Sequence, residues 1–300
     1  MKVEQAFELT GHQNPIFTAE LSQKPGLLFT AGNDKGLVEW SLTHQEFIKV
    51  MFPVPGSIYA IHCPVGFPLM FAGMRNGHVL VFDFIEQKII TTLKQHSKPI
   101  FDIKSIPDKS ELLIASEDGS VSVWNLKDLS LLHTIKVSTD TVRSIAISPN
   151  QQQMALGCRD NNVRVYNTED YSPVTTLADH TMAVFTTEYT KDGRYILSGA
   201  RDAQIKVWDT TTFELVKSIP AHLFAVNHIL SHPTRPYFAT ASMDKSIKIW
   251  GADDFKLYKI ISREKGYASH LLSINKLAWD GDQLISVSDD KRVLGWNITF

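Results

Sequence analysis

Aspartate recurs in this sequence at a fixed distance before an aromatic residue, and the recurrence raises the question of what the carboxylate does. Asp202 precedes Trp208 by six residues, and Asp244 precedes Trp250 by the same number. Histidine and a serine or threonine accompany these aspartates, and a Ser-His-Asp set is the arrangement with which a hydrolase activates a nucleophile. The same residue types also serve structure, because a buried carboxylate must find hydrogen-bond donors.

The pattern occurs seven times and covers the whole chain, which favours a structural repeat. A period in the low forties indicates one supersecondary unit per repeat. The aromatic positions are Trp40, Phe82, Trp124, Tyr166, Trp208, Trp250 and Trp296, of which the first six are 42 residues apart and the last follows after 46. The short polar residues six positions earlier are Asp34, Asn76, Asp118, Asp160, Asp202, Asp244 and Asp290.

Each repeat reads as a set of short β-strands. The segment 215–250 consists of β-branched and aromatic runs separated by Pro, Asp and Lys turn signals. Asn76-Gly77 and Asp118-Gly119 supply residues that tolerate positive φ where tight hairpins need them. One such unit is too small to bury both faces of its sheet, so neighbouring units must stack and the ring must close. Residues 4–12 match the outer strand of a repeat, so we expect the N-terminal strand to complete the last one.

Composition and residue spacing argue against several classes of function. The 30 basic and 32 acidic side chains give a formal net charge of −2, which argues against a strong sequence-independent polyanion binder. Cys63 and Cys158 lie in separate strand-like runs without zinc spacing, as expected for reduced thiols. His228 and His232 are four apart, but in a strand-like segment rather than a helix, so no metal site is expected. No signal peptide or membrane span is evident, and we expect a cytoplasmic protein without a cofactor.

With these seven repeats, the sequence resembles the WD40 (G-beta-like) family. The Gly-His signature is present as Gly11-His12 and in relaxed form at His96, His180, His222 and His270, and the Trp-Asp signature is intact as Trp208-Asp209. The resemblance covers residues 1–300 as a single domain. It implies an all-β fold, namely a seven-bladed β-propeller of four-stranded antiparallel blades that is closed by the N-terminal strand.

The resemblance also implies a role for the aspartates, as members of buried tetrads with His, Ser or Thr, and Trp. Because three repeats carry the same set, and because the tryptophan uses hydrogen-bonding capacity that a nucleophile would need, we expect a structural role. Repeats two, three and four depart from the pattern, and three has Ile114 at the hydroxyl position, so apolar packing should replace the tetrad there. His270 lies two residues out of register, which puts the last tetrad in doubt. The matching sets are His12, Thr30, Asp34 and Trp40; His180, Ser198, Asp202 and Trp208; and His222, Thr240, Asp244 and Trp250.

In this family the face that carries the His and Asp loops is a common docking surface, and two series of residues should project towards it. One contains Phe17, Tyr59, Phe101 and Phe185, at multiples of 42 from one another, with Arg143 in the same series; the other contributes Arg75, Arg159 and Arg201. Aromatic and Arg side chains are enriched at interface hot spots. The alternative interpretation is that the aromatic residues plug the channel and the arginines are solvated loop tips. About four extra residues before His270 make Arg263 and Tyr267 secondary candidates.

We therefore expect a non-catalytic scaffold that binds a protein or peptide, with an acidic or phosphorylated group held by the arginines. A monomer is the default expectation. A propeller that binds single-stranded RNA is one alternative, since aromatic and basic residues can stack and hold a strand. A hydrolase with a site in the central channel is another, and a pocket of convergent titratable residues outside the tetrads would support it.

Overall fold

The structure is a computed structural model that describes residues 1–34 and 36–300. Within these residues the chain forms 28 β-strands and two 3-10 helices of three residues each, Pro107–Lys109 and Arg263–Lys265. The strands build seven antiparallel four-stranded sheets, each of which is one blade. The prediction of an all-β, seven-bladed propeller is confirmed.

Six blades use four strands that are consecutive in the chain, with the first strand innermost. Asn76-Gly77 and Asp118-Gly119 turn between second and third strands, and the two glycines have positive φ values of 88° and 81°. From the inside outwards, the blades are β2 Ile16–Leu21, β3 Leu27–Gly32, β4 Gly36–Ser41 and β5 Glu46–Pro53; β6 Ile58–His62, β7 Leu69–Met74, β8 Val79–Asp83 and β9 Lys88–Leu93; β10 Ile100–Ile106, β11 Glu111–Ser116, β12 Ser120–Asn125 and β13 Leu131–Lys136; β14 Val142–Ile147, β15 Gln153–Cys158, β16 Asn162–Asn167 and β17 Pro173–Ala178; β18 Val184–Tyr189, β19 Tyr195–Ala200, β20 Gln204–Asp209 and β21 Leu215–Pro220; and β22 Val226–Ser231, β23 Tyr237–Ser242, β24 Ile247–Gly251 and β25 Leu257–Ile261.

The seventh blade closes the ring with both ends of the chain. It consists of β26 Ile274–Asp280, β27 Gln283–Ser288 and β28 Val293–Thr299, with β1 Lys2–Leu9 as its outer strand. β1 pairs antiparallel with β28, from Lys2 opposite Thr299 to Leu9 opposite Val293. The predicted closure by the N-terminal strand is thus confirmed.

Antiparallel pairing sends the blade connections to two opposite ends of the propeller. The loops that enter each inner strand, which carry the histidines, lie at the same end as the turns between second and third strands, which carry the aspartates. We call this end the loop face. The remaining turns, two in each of the first six blades and one in the seventh, lie on the opposite face.

The hydrophobic core lies between the blades rather than inside one of them. One cluster, for example, joins Val123 of the third blade to Val142 and Leu156 of the fourth, and all three are fully buried. Each blade needs its neighbours to cover both faces of its sheet, as the repeat pattern predicts. No helix in the described part of the chain is long and apolar enough to cross a membrane.

Candidate functional site

The fifth blade shows how a tetrad is assembled. Trp208 Nε1 donates a hydrogen bond to Ser198 Oγ at 2.9 Å, and Ser198 Oγ lies 2.9 Å from His180 Nε2. His180 Nδ1 lies 2.9 Å from an Asp202 carboxylate oxygen. One set of proton positions pairs every polar atom of the tetrad: Trp208 donates to the Ser198 hydroxyl, this hydroxyl donates to His180 Nε2, and His180 Nδ1–H donates to the Asp202 carboxylate. The same contacts join His12, Thr30, Asp34 and Trp40 in the first blade and His222, Thr240, Asp244 and Trp250 in the sixth.

Electrostatics favour a neutral histidine next to an ionised aspartate. Burial alone would raise the pKa of Asp244, but hydrogen bonds from His222, Ser246 and the Leu223 backbone outweigh it and hold that pKa well below its usual range. Burial lowers the pKa of His222. The hydroxyl at the centre of the tetrad already accepts the indole N–H, so this arrangement suits a structural role better than activation of a nucleophile.

The third blade also has a tetrad, although its sequence predicts apolar packing. Ile114 occupies the expected hydroxyl position, and Ser122 supplies the oxygen instead. Ser122 Oγ lies 2.8 Å from His96 Nε2 and accepts a hydrogen bond from Trp124 Nε1 at 2.9 Å. Ile114 and Ser122 are direct partners across β11 and β12. Opposite residues on paired strands share one face, so the hydroxyl reaches the same place from the neighbouring strand.

The last blade has a complete tetrad as well, so the doubt raised by its register was wrong. His270 Nε2 lies 2.9 Å from Ser286 Oγ, which accepts a hydrogen bond from Trp296 Nε1 at 3.0 Å. His270 Nδ1 lies 3.0 Å from Asp290. The last repeat has two residues fewer between its histidine and its serine than the sixth repeat has between His222 and Thr240. This shortening falls in the hairpin between β26 and β27, at the opposite end of the blade. The loop before His270 is accordingly six residues longer than the loop before His222, rather than the expected four.

The fourth blade uses a different device. Ser138 Oγ donates to Asp160 at 2.7 Å, and Arg164 binds both carboxylate oxygens at 2.9 and 2.6 Å. Arg164 occupies the position that Ser122 has in the third blade, 42 residues earlier. A bidentate Arg–carboxylate contact is among the strongest hydrogen-bonded pairs in proteins. In the second blade Asn76 accepts a hydrogen bond from its own turn, at His78 N.

The expected aromatic series forms a ring around the channel where it opens on the loop face, and we call it the mouth ring. Phe17 packs against Tyr59 with ring centroids 5.2 Å apart, and Tyr59 stacks on Phe101 at 5.6 Å. The Arg143 guanidinium lies over Phe101 at 4.1 Å and over Phe185 at 4.8 Å. The mouth ring consists of Phe17, Tyr59, Phe101, Arg143, Phe185, Asn227 and Asn275, all of them partly exposed.

Two asparagines complete the mouth ring by binding the backbone of the next blade. Asn227 Nδ2 donates to Ile274 O at 2.9 Å, and Asn275 Nδ2 donates to Ile16 O at 2.7 Å. Asn275 Nδ2 also contacts Asp289 at 2.7 Å. The ring is therefore continuous across the joint between the last blade and the first.

The arginines divide into two groups. Arg75, Arg159 and Arg201 are exposed in the loops around the mouth ring, whereas Arg143 is part of the ring. Burial, together with the nearby charge of Arg159, lowers the pKa of Arg143 to about 10. No hydrogen bond joins the Arg143 guanidinium to any of the described residues, and its Nε is buried. The interpretation as solvated loop tips thus does not fit Arg143.

The secondary candidates lie in the long loop before His270. Arg263 is exposed, and its Nη1 lies 3.5 Å from Ser269 O. Tyr267 is partly buried and packs edge-on against Trp296 at 6.2 Å. The tyrosine thus contributes to the packing of the last blade.

Sequence reasoning missed a group of exposed apolar side chains on the loop face. Most of them lie one or two residues after the tetrad histidine of one of the last three blades, and one of them directly precedes the tetrad aspartate of the sixth blade. Leu223 is 81% exposed and Phe224 is 59% exposed, although both belong to a loop that is fixed by the tetrad. Two adjacent large apolar residues directly after a histidine in a turn would have been the signal. We call this group the apolar crescent: Met182, Leu223, Phe224, Met243, Leu271 and Leu272.

Titratable residues outside the tetrads converge in the central channel, as a hydrolase site there would require. One cavity of about 660 Å³ runs inwards from the mouth ring and is lined by Glu188, Lys104 and Lys276, among others. Beside it, His62 Nδ1 lies 3.0 Å from Glu20 and His62 Nε2 lies 2.9 Å from Ser105 Oγ. This is the contact pattern of a triad, but the structural tetrads have the same pattern, so it does not by itself define a nucleophile.

Comparison with known families gives two matches. Residues 87–125 match the WD domain, G-beta repeat, and residues 142–242 match the Cytochrome D1 heme domain. The comparison with curated proteins gives no match. The matched repeat and the seven four-stranded blades together make this chain a WD40-like β-propeller. Propellers of this kind are typically non-catalytic, and the fold supports a general role as a protein-interaction scaffold.

The second match indicates propeller architecture alone. It covers strands β14 to β23, about a third of the chain. The part of this segment that lines the channel includes Ser144, Thr186, Glu188, His228 and Leu230, and Lys104 and Lys276 line the same cavity. The charged groups of Glu188, Lys104 and Lys276 interrupt the apolar part of this lining, whereas a porphyrin needs apolar walls against both of its faces, so the lining does not fit a heme.

Proposed function

We propose that this protein is a non-catalytic platform that binds a protein or peptide partner on its loop face. The observation that carries the proposal is the mouth ring, in which four aromatic side chains and Arg143 remain partly exposed at the centre of a rigid scaffold. Aromatic and Arg side chains contribute most of the binding energy at protein interfaces when they are clustered near the centre. Rigid β-sheets hold these anchors in place, so little ordering entropy is lost on binding.

The surroundings of the mouth ring define the chemistry of the partner. Arg159 and Arg201 are exposed at equivalent places on successive blades, and guanidinium groups bind carboxylate and phosphate oxygens in pairs. The apolar crescent covers the loops of the adjacent blades on the same face. We therefore infer an extended segment that places an acidic or phosphorylated group on the arginines and apolar side chains on the crescent.

The geometry of the mouth ring argues against single-stranded RNA as the partner. Bases bind such proteins by stacking on free aromatic faces. Here Tyr59 stacks on Phe101, and Arg143 lies over both Phe101 and Phe185. These rings already use their faces on one another, and the formal net charge of −2 adds no general attraction for a polyanion.

The test compares which proteins copurify from native lysate with the wild type and with the double variant Arg159→Glu, Arg201→Glu. The matched control is Lys127→Glu, Lys191→Glu, which makes the same charge change at exposed positions on the opposite face. A partner that is lost from the first variant, retained by the control and bound directly by the purified wild type supports the proposal. The double variant Phe224→Ser, Leu271→Ser should weaken the same partner.

Two results would count against the proposal. If the arginine variant, with an unchanged melting temperature, retains every partner of the wild type, recognition does not use these arginines. If the wild type retains no partner at all, a role as an interaction platform is not supported.

A further inference from the structure

The channel beneath the mouth ring is lined by two further rings of polar side chains. Along the inner strands, the residue after each mouth-ring position contributes Asp102, Ser144, Thr186, His228 and Lys276 to the wall. Two residues further on, the wall contains Glu20, Lys104 and Glu188. Three carboxylates and two ammonium groups therefore share one cavity, away from the tetrads and behind the proposed partner surface.

The three carboxylates of the channel have hydrogen-bond partners within the protein. The inner strand is the edge of each blade, so some of its N–H groups face the neighbouring blade rather than a paired strand. Asp102 accepts the Ile145 N–H at 2.8 Å, and Glu188 accepts the Ser231 N–H at 3.3 Å. Glu20 lies 3.0 Å from His62 Nδ1. These acidic groups thus have a structural function that joins successive blades.

The two lysines have no comparable partner. Among the described residues, no carboxylate oxygen lies within 4 Å of the Lys104 or Lys276 ammonium group, and neither group makes a hydrogen bond. Burial and the positive charge of Lys104 lower the pKa of Lys276 more than the channel carboxylates raise it, whereas the same carboxylates outweigh burial at Lys104 and raise its pKa. Arg143, at the mouth, likewise makes no hydrogen bond to the described residues. Three cationic groups along the channel therefore have no direct hydrogen-bond acceptor among the described residues, and a bound anion would supply one.

We propose that the central channel is a binding site for a small organic anion, whose carboxylate or phosphate group binds Lys276 and Lys104 after entering past Arg143. The three cations lie at successive depths, with Arg143 in the mouth ring, Lys276 in the next ring and Lys104 below it. The cavity of about 660 Å³ lies within the size range of small-molecule sites. Charge-assisted hydrogen bonds to two ammonium groups would hold the anion, and the apolar walls at Leu230 and Trp279 would contact the rest of the molecule.

The test measures binding of two probes, inorganic phosphate and succinate, to the full chain at constant ionic strength maintained with sodium chloride. The ³¹P line width follows phosphate, and saturation-transfer NMR follows succinate, so the two arms distinguish phosphate from carboxylate. The variants are Lys276→Gln and Lys104→Gln, with Lys127→Gln as the control for loss of an exposed lysine on the opposite face. We expect at least one probe to bind the wild type and the control equally, and each channel variant about tenfold more weakly.

Three results would overturn the proposal. The first is that neither probe binds the wild type more tightly than chloride does. The second is that binding is unchanged in both channel variants. The third is that binding is lost in Arg159→Glu, Arg201→Glu but not in the channel variants, which would place the anion on the loop face. If one glutamine variant does not fold, as judged by its melting curve, Lys276→Met or Lys104→Met keeps the side-chain volume and tests the same point.

Discussion

Replacing Glu188 by glutamine should change how the stability of this protein depends on pH. The Glu188 carboxyl group faces the channel and accepts the Ser231 N–H, a bond that a glutamine Oε1 can also accept. Burial raises the pKa of Glu188 to about 7, because the nearby charges of Lys104 and Lys276 offset the loss of water only in part, and Asp102 adds repulsion. The substitution removes the titration while it preserves the shape of the side chain.

The sign and size follow from proton linkage. Between the ordinary pKa of 4.5 and a pKa of about 7, the folded protein holds a proton on Glu188 that the unfolded chain has lost. The free energy of unfolding of the wild type therefore falls as pH rises through this window. Each factor of ten in proton affinity is worth about 1.4 kcal/mol, so the whole window corresponds to about 3 kcal/mol. In Glu188→Gln this loss is absent.

The assay is urea unfolding of both proteins from pH 5 to pH 8. The difference in the free energy of unfolding, variant minus wild type, should grow by about 2.5 kcal/mol across that range, whatever its value at pH 5. The variant Glu214→Gln, in the exposed turn before β21, is the matched control. Taking differences cancels the other titratable groups of the channel, Glu20, His62, Asp102, Lys104, His228 and Lys276, unless they respond to the substitution. A flat difference for Glu188→Gln would refute the reasoning.

Three further substitutions test two of the tetrads and the mouth ring by the same unfolding assay. Ser122→Ala should lower the free energy of unfolding by about 2 kcal/mol because it leaves the Trp124 indole N–H unpaired, and an unchanged value would mean that the third blade does not depend on this hydroxyl. Asp202→Ala should lower it by about 2–4 kcal/mol, since buried donors lose their acceptor, and an unchanged melting temperature would contradict a structural tetrad. Arg143→Met should lower it by about 1 kcal/mol or less, because the methionine keeps the aromatic contacts and loses only the cation–π attraction.

The sequence predicts the fold well because the same pattern of strands and turns occurs seven times. Strand patterns, turn residues and the Asp-to-aromatic spacing all agree at a period of 42, and local and global signals therefore favour one structure. The same period places Phe17, Tyr59, Phe101 and Phe185 in one ring. A residue's position within the repeat thus specifies its position in the propeller.

Position within the repeat fails to predict a tetrad residue where another position supplies the same atom at the same place. Ser122 takes the role expected of residue 114 because the two face each other across a strand pair, which a linear alignment does not show. His270 reaches its tetrad because the shortening falls in a hairpin at the far end of the blade. Hydrogen-bond geometry depends on atoms and not on residue numbers, so both departures leave the tetrads intact.

The charged lining of the channel could not be predicted from the sequence either, for a different reason. Glu20, His62, Lys104 and Glu188 occupy equivalent positions in their repeats, but they differ in charge and size. A comparison of repeats therefore treats them as unrelated substitutions in a half-buried strand. Only closure of the ring brings them to one wall, where their charges act on one another.

The tetrads connect the stability of the blades to the shape of the proposed binding surface. In the last three blades the aspartate accepts not only the histidine but also the backbone N–H of the following residue: Asp202 binds Thr181 N at 3.1 Å, Asp244 binds Leu223 N at 3.0 Å and Asp290 binds Leu271 N at 2.8 Å. These bonds fix the loops that present the apolar crescent. A change of Asp244 should therefore weaken partner binding through Leu223 and Phe224 even under conditions where the blade stays folded, whereas a change in the fourth blade, where Ser138 replaces the histidine, should leave the crescent in place.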